Sequence, residues 1–496
     1  MPSSPRTRAP FIAPPSLIIA VLCFGSLCGS LMQSLVIPIQ SELPELLGTN
    51  ASNTSWVVTV TLLAGGIAMP VSGRLADMYG KKRVIVISAM ILLLGSVVTA
   101  ASSTLLPVLV GRALQGVAMG YIPVAISLVR EIAPPHRRAG AVATVSATLG
   151  VGGALGLPLA AWIAQSRSWH DLFWVSAILA AVVIVVSWLL VPEQGAREPG
   201  RLDVPGIIGL AIGLAALLIG ISKGSAWSWG SVTTWACIAG GVLVLLAWGV
   251  YELRQSEPLV DLRTMVRPAV LFTNLAAILI GFGMMAQMIV VPQLLEAPAA
   301  TGYGLGQPIL MVGLWMAPGG LMMLVMAPVS SRMITRLGAR LTMAIGAVVL
   351  AGGYCVALGL MNAPWQLMVA TIVASTGVGI GYAAMPTLVL DNVPKGEAGS
   401  SVGVNSLMRS IGTTTAGAVM AALMTSQTQV LAPGTSPIPT ASAFQLCFAV
   451  GALAALVGAA ITLLVPRDRP ERTIPPAPGM AASAASAESA APTLAH

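Results

Sequence analysis

Charge is what this chain has least of: only 8% of its 496 residues are Asp, Glu, Lys or Arg, against 56% hydrophobic ones. Mean hydropathy is +0.88, and a chain so poor in charge cannot cover a water-facing surface, which excludes a soluble globular protein. Aromatics make up 5%, and the three histidines, His136, His170 and His496, stand far apart. They supply neither a proton relay through a membrane nor a metal cluster. Cys23, Cys28, Cys237, Cys355 and Cys447 fall in apolar runs without Cys-x-x-Cys spacing, so they read as small hydrophobes rather than disulfides or ligands. No Gly-x-x-x-x-Gly-Lys loop is present to cradle phosphates, and no grouping of Ser, His and Asp makes a nucleophile. Both absences speak against an enzyme.

What is abundant is apolar sequence. A crossing of the bilayer core needs about 20 apolar helical residues, and fourteen runs qualify: 16–38, 54–73, 84–103, 105–128, 140–163, 171–191, 205–222, 232–251, 270–292, 308–329, 341–361, 366–389, 400–424 and 444–465. The first is followed by many more and reads as a retained span, not a cleaved signal peptide. Of the 25 cations, only Arg167 and Lys223 fall in outer segments and Arg112 and Arg409 within spans when the amino terminus is placed inside. Both termini are then cytoplasmic. Net charge +8 follows from that topology and implies no nucleic-acid partner. Past Arg472 the chain is rich in Ala, Pro and Ser and is expected to be disordered. Asn50 and Asn53 both satisfy the glycosylation pattern but are read as caps for the second span.

The most informative stretch runs from Gly73 to Arg83, where Asp77 lies among Arg74, Lys81, Lys82 and Arg83 directly after an apolar run. It returns in the second half. Met69-Pro-Val-Ser-Gly-Arg74 aligns with Ala327-Pro-Val-Ser-Ser-Arg332, and Gly80 then falls on Gly338. Further along, Gly116, Gly120 and Tyr121 fall on Gly377, Gly381 and Tyr382, and Gln33, Pro38 and Glu42 recur as Gln287, Pro292 and Glu296. Spans 1–6 therefore pair with spans 9–14, and spans 7 and 8 look inserted. The expected division is a tail at 1–15, a six-helix bundle at 16–191, linkers and two inserted helices at 192–269, a second bundle at 270–465 and a tail at 466–496. Parallel repeats of this kind place a site near the midplane between them.

At these residues the chain resembles the major facilitator superfamily, specifically its fourteen-span branch of drug:proton antiporters. Residues 73–83 match the family's loop after span 2, and Arg112-Ala-Leu-Gln-Gly-Val-Ala-Met-Gly its span-4 motif. Gly150, Gly152, Gly153, Gly156 and Pro158 are similar to the Gly/Pro-rich span-5 motif of exporters, although Leu157 separates Gly156 from Pro158 where the family has Gly-Pro. The resemblance implies an all-α membrane fold of two pseudo-symmetric six-helix bundles plus two inserted helices, in a bacterial cytoplasmic membrane. It implies no cofactor, with a proton gradient as energy source, and protons, membrane lipids and small amphipathic drugs or natural products as partners of a monomer. A lipid or metabolite transporter, exporter or importer, with other or no ion coupling is the alternative.

Individual residues take roles within that frame. Gly73, Arg74, Asp77, Gly80, Lys81 and Arg83 are expected to form a latch: glycines for close approach, Asp77 accepting from Arg74 or Arg83 and facing the positive end of a neighbouring helix. The resemblance makes the start of span 13 that partner. A stop-transfer flank explains the cations but not the acid. Thr335 replaces Asp77 in the repeat, so a second latch should be weaker or absent. Gly152, Gly156 and Pro158 suit a span-5 hinge or tight packing. A charge at midbilayer depth costs on the order of 3 kcal/mol, so Arg112 and Arg409 are expected either in a wet cavity or as buried donors to backbone carbonyls. The resemblance associates Arg112 with proton coupling. The Asp that many relatives carry in span 1 is missing: Cys28, Gly29 and Ser30 stand there. Glu296, with Glu42 at the outer end of span 1, is the substitute candidate for the coupling acid, or a solvated loop residue. Arginines without a central acid favour neutral or anionic lipophiles. Gln33, Gln287, Asn405 and Trp315 complete the expected cavity lining.

Overall fold

The computed structural model describes residues 14–37, 39–40, 42–193, 200–430 and 437–466. The expected tails fall almost wholly outside that range, as does Pro38. Fourteen long helical rods follow one another: α1 Pro15–Ser34, α2 Trp56–Tyr79, α3 Lys81–Ala100, α4 Leu105–Ile132, α5 Arg138–Ser166, α6 His170–Leu190, α7 Val204–Trp227 and α8 Val232–Glu252. The second set is α9 Pro268–Glu296, α10 Ile309–Leu337, α11 Ala339–Gly359, α12 Pro364–Asp391, α13 Ala398–Ser426 and α14 Ala441–Leu463. Among the described residues 13 helices are long and apolar enough to cross a membrane. The remaining rod is α13, whose 29 residues include Asn405, Arg409 and many hydroxyls.

Several rods run longer than their apolar stretch. α5, α9, α10 and α13 each have 29 residues, about 43 Å at 1.5 Å per residue, so their ends project past a hydrocarbon core of about 30 Å. Pro70, Pro158, Pro292, Pro318, Pro328 and Pro386 all lie inside continuous helix. A membrane helix tolerates this because neighbours satisfy the freed carbonyl. α9 thus passes Pro292 and ends at Glu296, four residues beyond the expected boundary. Only α4 is interrupted, at Met119 and Gly120. There Pro123 cannot donate to the Met119 carbonyl, which accepts instead from Ile122 at 3.2 Å. Asn50 does cap, but it caps the short helix Ala51–Thr54, its side chain accepting from Asn53 N–H at 2.8 Å.

Packing repeats as the sequence does. In the first set α1 packs on α5 and α6, α2 and α3 on α4, and α3 on α6; in the second α9 packs on α13 and α14, α10 and α11 on α12, and α11 on α14. Shifting each label by eight turns one list into the other. Across the two sets α2 meets α13 and α5 meets α10, a pair the same shift interchanges. α7 packs on α8, α2 and α13. The turns repeat too: Gly80 joins α2 to α3 at φ 101°, and Gly338 joins α10 to α11 at φ 82°, a backbone conformation that disfavours any side chain.

Candidate functional site

The loop after α2 and the start of α13 meet at the cation-rich end. Asp77, 3% exposed, accepts from the backbone N–H of Gly399 at 3.1 Å and of Ser400 at 3.0 Å. These amides open α13 and have no partner within their own helix, so a carboxylate there satisfies two donors and meets the positive end of the helix dipole. Backbones must be close for this: a Cβ on Gly73 would lie 2.2 Å from the Gly399 carbonyl oxygen. The expected bonds from Arg74 and Arg83 to Asp77 do not form among the described residues. Lys81 binds Glu131 at the end of α4, and Arg83 pairs with Glu193 at 3.8 Å, both half-exposed. Arg74 lies beside Gly200 and Glu257, its Nη2 3.3 Å from where a Gly200 Cβ would sit. A second contact crosses between the bundles at this end, Arg130 Nη2 to Asp391 Oδ1 at 2.6 Å.

The pseudo-symmetric contact is looser. Thr335, in the place of Asp77, donates to Arg332 C=O of its own helix at 2.9 Å. A Cβ on Gly140 would clear Ser331 Oγ by 3.1 Å. The bridge is therefore one-sided, between α2 and α13.

Arg112 is 1% exposed and is held by three helices. Its Nε donates to Val57 C=O at 3.2 Å, and its Nη1 to Met32 C=O at 3.4 Å and Gln115 Oε1 at 2.7 Å; Gln115 in turn donates to Ser96 Oγ at 3.0 Å. This is the carbonyl-bound arrangement, inside the first bundle, and not a cavity wall. Asn405 is also fully buried, donating to Asn274 Oδ1 of α9 at 2.9 Å, and Gln287 donates to Thr371 C=O of α12 at 3.4 Å. Both tie α9 to its neighbours rather than lining open space. Gln33 and Trp315 are half-buried, with Trp315 Nε1 donating to Gln307 Oε1 at 3.2 Å.

Arg409 differs from Arg112. It is 6% exposed, its guanidinium lies 4.9 Å from the Tyr382 ring centroid, and its Nη2 donates to Ser406 Oγ at 3.4 Å. Among the described residues its buried Nη1 has no hydrogen-bond partner. A buried cation left over a π face with an open donor is an anion-accepting arrangement. Glu296 and Glu42 are both exposed, at the end of α9 and before the short helix Leu43–Leu46.

The span-5 glycines set helix spacing. Cβ atoms on Gly152 and Gly156 would lie 2.7 Å from the Leu27 carbonyl oxygen and 1.9 Å from Ser34 Oγ, both of α1. Pro158 faces α10, where a Gly313 Cβ would sit 3.0 Å from it. α5 is thus the rod between α1 and α10, unbroken at Pro158. Lys223, placed in an outer segment from sequence, is 2% exposed near the outer end of α7, bonded to Ser55 Oγ and 4.5 Å from the Trp56 ring centroid. The sequence carried no such signal: Lys223 stands just past the apolar run 205–222, and Trp227 and Trp229 follow it by four and six residues, while the ring it meets is that of Trp56.

A family model described as Major Facilitator Superfamily matches residues 22–417, and matches again at 273–492. An uncharacterised MFS-type transporter of Mycobacterium tuberculosis is 29% identical over 326 residues, 64% of this chain and 47% of that protein, so the match spans under half of that relative's length. The multidrug transporter protein MdtP of Bacillus subtilis is 24% identical over 415 residues, 82% of this chain and 74% of its own. A probable actinorhodin transporter of Streptomyces coelicolor is 28% identical over 398 residues, 76% and 67% of the two chains. In fold, the chain is similar to the human organic anion transporter MFSD10, with a TM-score of 0.63 at 16% identity over 90% of this chain and 99% of that one.

Proposed function

The chain belongs to the major facilitator superfamily, and on that premise we propose that it is a secondary transporter working by alternating access, a proton-driven exporter of amphipathic drugs or natural products across a bacterial cytoplasmic membrane. The observation that carries the reading is the Asp77 bridge between α2 and α13. It joins two six-helix sets at one end only, through hydrogen bonds that a rocking motion can break and remake without disturbing either set. The names of the multidrug and actinorhodin relatives favour export of lipophilic compounds.

The substrate class is neutral or anionic lipophiles. Arg409, buried with a free Nη1, gives an anion a partner, and no carboxylate lies deep in a span to hold a cation. Coupling then falls to a carboxyl near the outer ends, Glu296 first and Glu42 second. Arg112 acts by fixing α1, α2 and α4 together rather than by touching the proton. The test is efflux from loaded proteoliposomes for matched anionic, neutral and cationic lipophiles, in wild type and Arg409→Gln. Loss of about tenfold for the anions alone, the effect of removing one charge-assisted bond, is expected. Equal loss for all three classes, or preference for the cations, contradicts the substrate class.

A further inference from the structure

The inserted helices carry a carboxyl pair that the transport reading does not use. Asp203 caps the start of α7, its Oδ1 accepting from Gly206 N–H at 2.9 Å and from the Tyr251 hydroxyl at 3.0 Å. Glu252 ends α8, and its Oε1 accepts from Val260 N–H at 2.8 Å, in the linker that leads to α9. Each carboxyl therefore has one oxygen fully used. The second oxygens, Asp203 Oδ2 and Glu252 Oε2, are both buried and have no hydrogen-bond donor among the described residues, and Glu252 is 2% exposed. They converge: a Cβ on Gly206 would lie 2.2 Å from Asp203 Oδ2 and 3.0 Å from Glu252 Oε2.

The charged groups of the surrounding segments do not neutralise this pair. Glu257 accepts from Arg201 N–H and lies with Arg74 beside Gly200. Arg263 donates to Leu253 C=O at 2.9 Å, and Asp261 accepts from Arg263 N–H at 2.9 Å. Among the described residues no Lys or Arg reaches either carboxyl. Two carboxylates whose buried oxygens converge are not readily both ionised without a counter-charge, and the smallest species that satisfies both is one hydrogen ion shared between them.

We propose that Asp203 and Glu252 are a proton-binding site at the cation-rich end of the inserted helices, holding one shared proton that pins α7, α8 and the linker into α9 together. Losing that proton to solvent leaves two like charges in contact. Glu252 then swings from Val260 and Asp203 from Tyr251, and the linker between α8 and α9 loosens. The site answers to pH on the side where the cations lie, apart from whatever acid drives transport.

The experiment uses the full chain in lipid nanodiscs, with two readouts over roughly pH 5 to 9. Infrared difference spectra report a protonated carboxyl, and trypsin reports the linker through the exposed Arg254. Wild type should show an acid carbonyl band at neutral pH that Glu252→Gln lacks. As pH rises the band should vanish while cleavage, relative to the variant, climbs about tenfold per pH unit until it saturates. Glu252→Gln, which keeps a hydrogen bond to Asp203 at any pH, should stay resistant throughout; Asp203→Asn gives the same two readouts if that variant folds poorly. No acid band at neutral pH, or cleavage with the same pH profile in wild type and variant, overturns the site. So does a carboxylate band that shifts on adding calcium at neutral pH, because a metal ion would then fill the pair.

Discussion

Asp77 binds two amides and no described cation, so changing it to Asn separates charge from shape. The amide side chain can still accept one bond, but the attraction to the α13 dipole is lost, about 1–3 kcal/mol for a buried charge-assisted contact. Asp77→Asn should raise labelling of a single cysteine placed at Ser331 on a cysteine-free background by at least severalfold, and slow transport with it. Arg112 makes the opposite case. Its removal strands the carbonyls of Met32 and Val57 and the side chain of Gln115, so Arg112→Ala should cost about 3 kcal/mol of stability. Thermal unfolding in detergent checks this; normal melting would show that the three bonds contribute nothing. The sequence shows that an arginine lies at membrane depth but not which way it turns. For that reason Arg112 and Arg409, alike in the text, separate only once their neighbours are seen: one is filled by carbonyls, the other left open beneath Tyr382. Asp77 was more legible, because an acid inside a basic turn has no use as a topogenic flank. The resemblance pointed to the start of span 13; that the bonds come from the amides of Gly399 and Ser400 and not from Arg74 or Arg83 is what no residue type announces.

Among elements, α2 and α13 approach more closely than any contact through side chains would allow. Gly73→Ala puts a methyl 2.2 Å from the Gly399 carbonyl oxygen, so the helices must part or the bridge must shift. Gly140→Ala, at the other seam and facing Ser331, the residue that aligns with Gly73, meets only Ser331 Oγ at 3.1 Å, an atom that can rotate away. Gly73→Ala should therefore abolish most transport and expose the Ser331 cysteine as Asp77→Asn does, whereas Gly140→Ala, with Ser331 in place, should leave transport near wild type. Equal effects would mean that the one-sided bridge has no special part in closure. Thirteen of the rods among the described residues were readable from apolar run length, α13 falling short of a crossing by that measure, and the Gly80 and Gly338 turns were readable from their spacing. Helix ends were not: run length marks the apolar stretch, while α5, α9, α10 and α13 each extend to 29 residues, beyond that stretch. α13 itself is the least apolar rod, because its faces are spent on α2, α7 and α9 rather than on lipid.

For the whole molecule, the repeated packing leaves the two six-helix sets meeting chiefly along the α2–α13 and α5–α10 seams, flanked by α4 on α13 and α5 on α12, with α7 against the first seam. That arrangement supports rocking about a seam. It was foreshadowed by the aligned Met-Pro-Val-Ser-Gly-Arg stretch, since two segments with one pattern fold alike; the placement of α7 against α2 and α13 had no such precedent within the chain. Coupling is the central claim. The most direct measurement is substrate-triggered proton movement in proteoliposomes, followed with a pH dye, for wild type and Glu296→Gln. The account predicts proton movement opposite to a neutral or anionic lipophile, lost or strongly reduced in the variant. Substrate flux without any proton signal would contradict it and make the protein a uniporter or a carrier coupled to another ion.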